Sequence, residues 1–147
     1  MAQAGEPFPN VSKPSTEGGE IRISDYQDGK KLVVFFFPRS MTPGCVRETI
    51  EFGQKRSRFE QAGAKIMGAS TDSTNAQQKH AVHCAAGFPI LSDKDKTLIA
   101  ALGIDSGKGS AKRTTYVIDA KGVIRRVFEG VKVDGHVDAV LEAVKAI

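Results

Sequence analysis

Apolar residues recur along this chain with two different periods, and the alternation between them predicts its elements. Lys31 to Phe37, KLVVFFF, is a short unbroken run rich in β-branched and aromatic residues. Such a run suits a strand buried on both faces. From Thr42 to about Ala62 the spacing becomes helical. Cys45, Thr49, Phe52 and Phe59 share a broad face with Val46, Ile50 and Gly53, while Arg47, Glu51, Gln54, Lys55 and Arg58 fall opposite. Arg56 is the exception, projecting towards the apolar side. Lys65 to Ser70 reads as a second strand, and Asp72-Ser73 can cap a helix running to about Ala86, with Gly87 suited to end it. Phe88 to Asp93 is a short extended segment, and Thr97 to Leu102 a brief helix. Thr114 to Asp119 and Val123 to Glu129 form a hairpin through Ala120-Lys121-Gly122. Val137, Val140, Leu141 and Val144 mark a closing amphipathic helix. Ile21 to Ser24 reads as a short edge strand. Residues 1–19, rich in Pro, Gly, Ser and Glu, read as an irregular N-terminal arm.

Strands alternating with helices imply parallel pairing, and the hairpin adds antiparallel strands. The expected fold class is therefore α/β, a mixed central β-sheet flanked by helices. A thioredoxin-like fold satisfies this order, and on pattern alone so do other α/β sandwiches. No internal repeat or interior linker interrupts it, and 147 residues fit one domain spanning 1–147.

Composition narrows the classes further. Hydrophobic residues make up 40%, and the longest apolar run is far short of the roughly 20 residues a spanning helix needs, so no membrane association is expected. The opening MAQAGEPFPN has no basic stretch followed by a long apolar one, which makes a cytoplasmic location the default expectation. Net charge is +4, but the densest basic stretch, Lys55-Arg56-Ser57-Arg58, lies in a helical pattern with few aromatics around it, so no nucleic-acid partner is expected. Two cysteines, Cys45 and Cys84, are too few for a disulfide-stapled scaffold. They leave structural thiols, a metal site or redox chemistry.

Cys45 has an unusual position. Thr42 suits a helix N-cap and Pro43 the first helical residue, which places Cys45 third, in the first turn. Unpaired backbone N–H groups and the positive end of the helix dipole favour an anion there, so the thiol should ionise readily and act as a nucleophile near neutral pH. Gly44 allows another group to approach closely. On spacing alone, a buried structural cysteine remains an equal alternative.

The residues around Cys45 resemble a known family. Pro38-x-x-x-Thr42-x-x-Cys45 looks like the peroxiredoxin active-site signature, and FFFPRSMTPGCVRE is similar to the peroxiredoxin Q, or bacterioferritin-comigratory, subfamily. Further similar blocks follow in order: Gly68-Ala69-Ser70-x-Asp72, FPILSD at 88–93, Arg113-Thr114-Thr115 leading into YVIDAKG, and Val133-Asp134-Gly135-His136-Val137. The resemblance implies a thioredoxin-like fold and a thiol peroxidase. Cys45 would be the peroxidatic cysteine, Thr42 would offer a hydroxyl to the hydroperoxide, Arg113 would hold thiolate and substrate, and Pro38 would shield the pocket. Glu48 matches the subfamily's acidic residue and would orient an arginine, with a plain helix surface charge as the alternative. No cofactor or metal is implied. The chemistry agrees, since cleaving an O–O bond develops negative charge that a guanidinium, a hydroxyl and backbone N–H groups can stabilise.

Two departures matter. Many members of the subfamily carry a second cysteine five residues after the first, where this chain has Ile50. Cys84 instead lies 39 residues downstream, on the next helix, and resembles a variant that resolves there through an intramolecular disulfide recycled by thioredoxin or glutaredoxin. Alternatives are a structural Cys84 in a one-cysteine enzyme resolved by an outside thiol, and a metal held by His80, His83 and Cys84 on one helix face. An imidazolium there could also bias Cys84 towards thiolate. The other departure is Val46, where Thr is common. Dithiol–disulfide exchange would normally show C-x-x-C, which is absent. A non-enzymatic binding or holdase module has no need for Pro38, Thr42, Cys45 and Arg113 together. The resemblance implies a monomer.

Overall fold

A computed structural model describes residues 2–147. Its main sheet has five strands in the order β5-β4-β3-β6-β7. The central strand β3 (Lys31–Phe36) pairs in parallel with β4 (Ala64–Ser70) and antiparallel with β6 (Thr114–Ile118). β5 (Ile90–Ser92) extends the parallel side, and β7 (Ile124–Phe128) the antiparallel side. The α/β class, mixed sheet and thioredoxin-like arrangement are those expected.

The unbroken apolar run follows from β3 being central. Side chains alternate across a strand, so Val33, Phe35 and Phe37 enter one core while Leu32, Val34 and Phe36 enter another. The first core holds Phe52 and Phe59, with Val137, Val140 and Val144 from helix α6 (His136–Lys145). The second holds Leu98, Ile99 and Leu102 of α5 (Thr97–Leu102) with Tyr116. Stacking of Phe35 on Phe52, with ring centroids 4.5 Å apart, locks β3 to α2 (Pro43–Gln54), the helix that carries Cys45.

Several elements differ from expectation. The helix after Thr42 does not run unbroken to Ala62. It stops at Gln54, Lys55 adopts φ −100° and ψ 9°, and α3 (Arg56–Gln61) follows. Arg56 supplies the reason. On the apolar side its guanidinium must find acceptors, and Nη1 donates to the carbonyls of Gly53 (3.1 Å) and Ala86 (2.9 Å). Helix α4 (Thr74–Cys84) starts as expected, with Ser73 Oγ accepting from Ala76 N–H, but Asp72 bonds elsewhere. The helix ends two residues before the expected point, and Ala85 takes the left-handed conformation, φ 49°.

The N-terminal arm is not wholly irregular. Within it, β1 (Ser12–Pro14) pairs antiparallel with β2 (Glu20–Arg22) as a separate two-stranded sheet. The expected edge strand at Ile21–Ser24 is cut short, because Ile23 begins α1 (Ile23–Gln27) and is buried. Lys13 anchors the arm by reaching the buried carboxylate of Asp93 at 2.8 Å. Among the described residues no helix is long and apolar enough to cross a membrane.

Candidate active site

The loop Pro38–Thr42 leaves the C-terminal end of β3 and feeds α2. Pro38 sits half-buried at its start. Thr42 is extended at the N-cap and Pro43 occupies the first turn, as the sequence implied. The Thr42 hydroxyl does not cap the helix, however, but donates to the carbonyl of Arg39 at 2.8 Å. Orphan N–H groups of the first turn are thus left without this side-chain acceptor beside Cys45. The Cys45 side chain is fully buried.

Arg113 arrives from the residue before β6 and meets the first turns of α2. Nη2 donates to Cys45 Sγ at 3.2 Å, and Nη1 donates to Glu48 Oε1 at 2.7 Å. Gly44 is what permits the approach, since a Cβ there would lie 3.2 Å from Arg113 Nη2. Arg113 keeps 18% of its side chain exposed, whereas its partner Glu48 keeps none.

Glu48 is not a helix surface charge. It is fully buried, one turn beyond Cys45. Burial pushes its carboxyl up to about 7, against the opposing pull of Arg113. Its Oε2 has no hydrogen-bond partner and lies 3.7 Å from His136 Nε2. That imidazole also meets Thr115 Oγ1 at 2.9 Å. Burial, helped by the Arg113 charge, lowers His136 to about 4, so it is neutral near pH 7. His136 was visible in the sequence only as part of the VDGHV block. Its tie to Glu48 spans 88 residues and leaves no local signal.

Cys84, on the last turn of α4, is 4% exposed and lies against α2. Its Sγ is 3.8 Å from the carbonyl oxygen of Val46 and 3.9 Å from His80 Nε2. Both cysteines are free thiols. The imidazolium expected to favour a Cys84 thiolate does not form at His80, because burial lowers that group to about 4, with Asp72 opposing and His83 adding to the shift. Burial and the proximity of Cys45 push the Cys84 thiol up instead. His80, His83 and Cys84 do not converge as metal ligands. Both His80 nitrogens face protein partners, His83 points to solvent, and no group of three potential ligands occurs among the described residues.

The fold thus brings Cys45, Glu48 and Arg113 into one bonded cluster, with Thr42 at the head of the same helix and Cys84 on the helix packed beside it. A guanidinium and a helix N-terminus beside a sulfur place donors where charge leaving on oxygen can be stabilised.

Comparison with known proteins gives concordant findings. Residues 4–127 match the model of the AhpC/TSA family. The putative peroxiredoxin bcp of Coxiella burnetii is 36% identical over 146 residues, covering 95% of this chain and 96% of that protein. The crystal structure of peroxidoxin BcpB from Mycobacterium tuberculosis superposes with a TM-score of 0.94 at 32% identity, covering 100% of this chain and 99% of the other. The bacterioferritin comigratory protein of Xanthomonas campestris, described for its alkyl peroxide reduction activity, superposes with a TM-score of 0.88 at 30% identity, covering 97% and 98%.

Proposed function

This chain belongs to the AhpC/TSA family, among the Bcp or peroxiredoxin Q thiol peroxidases, and from that premise we propose that Cys45 is the sulfur that attacks the hydroperoxide. The observation that carries this reading is the division of the Arg113 guanidinium between Cys45 Sγ and Glu48 Oε1. A planar fork can hold two partners in fixed directions, and here one of them is the nucleophile.

In the proposed reaction the Cys45 thiolate attacks the terminal oxygen of the hydroperoxide and displaces the other one. An S–O bond forms and the O–O bond breaks. The departing oxygen takes a proton and leaves as water or an alcohol, and Cys45 becomes a sulfenic acid. Arg113 and the first-turn N–H groups stabilise the charge developing on the leaving oxygen. The Thr42 oxygen, whose hydrogen is already given to Arg39, is free to accept a hydrogen bond from the peroxide O–H. Glu48 aims Arg113, and Pro38 shields the pocket.

Cys84 then condenses with the sulfenic acid, releasing water and forming an intramolecular disulfide. Its place on the helix packed against Val46 supports this assignment. A dithiol reductant of the thioredoxin or glutaredoxin type returns both thiols, which suits a cytoplasmic setting. The cycle needs no second copy and runs in a monomer. The substrate class is hydrogen peroxide and organic hydroperoxides, in line with the alkyl peroxide activity of the Xanthomonas relative.

Peroxide consumption measured with dithiothreitol, thioredoxin and glutaredoxin as alternative reductants tests the scheme. Turnover should vanish in Cys45→Ser. Turnover that persists in that variant would remove Cys45 from the reaction.

A further inference from the structure

His80 is fully buried beside the site, yet no step above uses it. Its hydrogen bonds can be assigned completely. Nδ1 lies 2.9 Å from the backbone N–H of Met41, which can only donate, so Nδ1 is the unprotonated nitrogen. The neutral ring therefore carries its proton on Nε2. That N–H points at Thr49 Oγ1, 2.9 Å away. With this hydrogen accepted, the Thr49 hydroxyl directs its own hydrogen to the carbonyl of Cys45 at 2.9 Å. One polarised chain thus runs from Met41 through His80 and Thr49 to the nucleophile's own peptide group.

The two ends of the chain need holding. Met41 has φ 64°, a left-handed conformation uncommon for a side-chain-bearing residue, and is 49% exposed, so packing of its side chain does little to fix it. The ring of His80 is fixed by stacking on Phe37, with centroids 5.0 Å apart. Its Nε2 edge is also 3.9 Å from Cys84 Sγ, one turn further along α4.

We propose that His80 is a positioning residue that ties the peroxide-reactive loop and the first turn of α2 to the helical state of the Cys84 segment, so that the two are held, and released, together. While α4 is intact, His80 sets Met41 and, through Thr49, the Cys45 turn. When the last turn of α4 opens to free Cys84, the ring loses its seat and the Cys45 turn loses its tie. This coupling rests on the reading that Cys84 resolves the sulfenic acid, and it explains how two buried thiols become available in one event.

The test is His80→Phe, which keeps the ring stack on Phe37 and removes both nitrogens. Rapid-quench mass spectrometry follows Cys45 oxidation and then disulfide formation, and amide hydrogen exchange follows residues 40–46 and 80–86. Oxidation should slow about tenfold or more, disulfide formation should quicken severalfold, and exchange should rise in both segments. His80→Asn, whose Oδ1 can replace Nδ1 as acceptor for Met41 N–H, should recover much of the oxidation rate. Thr49→Val, which breaks the middle of the chain with little change of shape, should act in the same direction and serves if His80→Phe does not fold. Oxidation within twofold of wild type in both His80→Phe and Thr49→Val would overturn the proposal, as would faster exchange confined to 80–86. If wild type itself forms no disulfide, the resolving role of Cys84 fails. The oxidation rates and the exchange at 40–46 still decide whether His80 holds the loop.

Discussion

Arg113 and Glu48 meet at 2.7 Å across 65 residues of sequence, and the same guanidinium reaches Cys45 at 3.2 Å. The carboxylate is buried and belongs to the helix that carries the cysteine, so the arginine cannot turn away from the sulfur without leaving an acid unpaired in the core. Arg113→Lys keeps the charge but gives up the fork, because one ammonium cannot serve both partners in the same directions. The peroxide step should slow by about 10²-fold, the scale of losing one aligned donor to a developing oxyanion, while the fold persists. Rapid-quench measurement of Cys45 oxidation checks this. Wild-type rates would mean that Arg113 does not act on the peroxide.

Gly44 offers an independent probe of the same contact. Its position within α2 makes alanine the better helix former by about 0.5–1 kcal/mol. The new Cβ would stand 3.2 Å from Arg113 Nη2, closer than comfortable contact with a group already pinned by two partners. Gly44→Ala should therefore oxidise severalfold more slowly with little loss of stability. Denaturant unfolding alongside peroxide kinetics separates the two effects.

Buried histidines should set the acid side of stability. His80 and His136 fall from 6.5 to about 4 on folding, chiefly through burial, so the unfolded chain takes up protons first. Their contribution is fully present above about pH 6.5 and is lost as pH falls towards 4, at up to about 1.4 kcal/mol per pH unit for each. Glu48 works in the opposite sense. Its carboxyl rises from 4.5 to about 7 on folding, so its contribution is present below about 4.5 and fades as pH rises through 7. Urea midpoints of wild type and His136→Gln between pH 4.5 and 7 should show a shallower acid loss in the variant. An unchanged slope would mean that His136 is not held neutral by the fold.

Legibility in the sequence depended on the range of the interaction. KLVVFFF announced a doubly buried strand because its own composition reports both cores. Thr42-Pro43 placed Cys45 in the first turn because a proline at the first helical residue is a local start signal. The break after Gln54 was not legible, because Arg56 showed only as an exception on the apolar side and its acceptor on Ala86 lies 30 residues away. β1 escaped notice because Lys13 and Pro14 carry no strand pattern, and its anchor, Asp93, lies 80 residues away. The burial of Glu48 was equally hidden. Its partners Arg113 and His136 come from far along the chain, and helix periodicity alone left it as a possible surface charge. His80 read as a metal ligand or a cation because only the fold shows what meets its two nitrogens.

Cys45 is fully buried in the first turn of α2, and Cys84 is 4% exposed at the end of α4, so neither thiol is free to swing while both helices are intact. Disulfide geometry requires Cα atoms within about 7 Å and Cβ vectors that converge, which two helix-borne cysteines rarely satisfy without backbone movement. Helix ends are where opening is least costly, and the end of α4 is already marked by a left-handed Ala85 followed by Gly87 at φ 70°. One equivalent of peroxide should therefore convert wild type to an intramolecular Cys45–Cys84 disulfide, read by mass spectrometry as the loss of two hydrogens from a monomer. Cys84→Ser should stop at Cys45 sulfenic acid and pass to sulfinic acid with excess peroxide. Wild-type protein that also stopped at sulfenic acid, with Cys84 still alkylatable, would make this a one-cysteine peroxidase. Its sulfenic acid would then have to be reduced by an outside thiol, and Cys84 would be a packing residue of the α2–α4 contact.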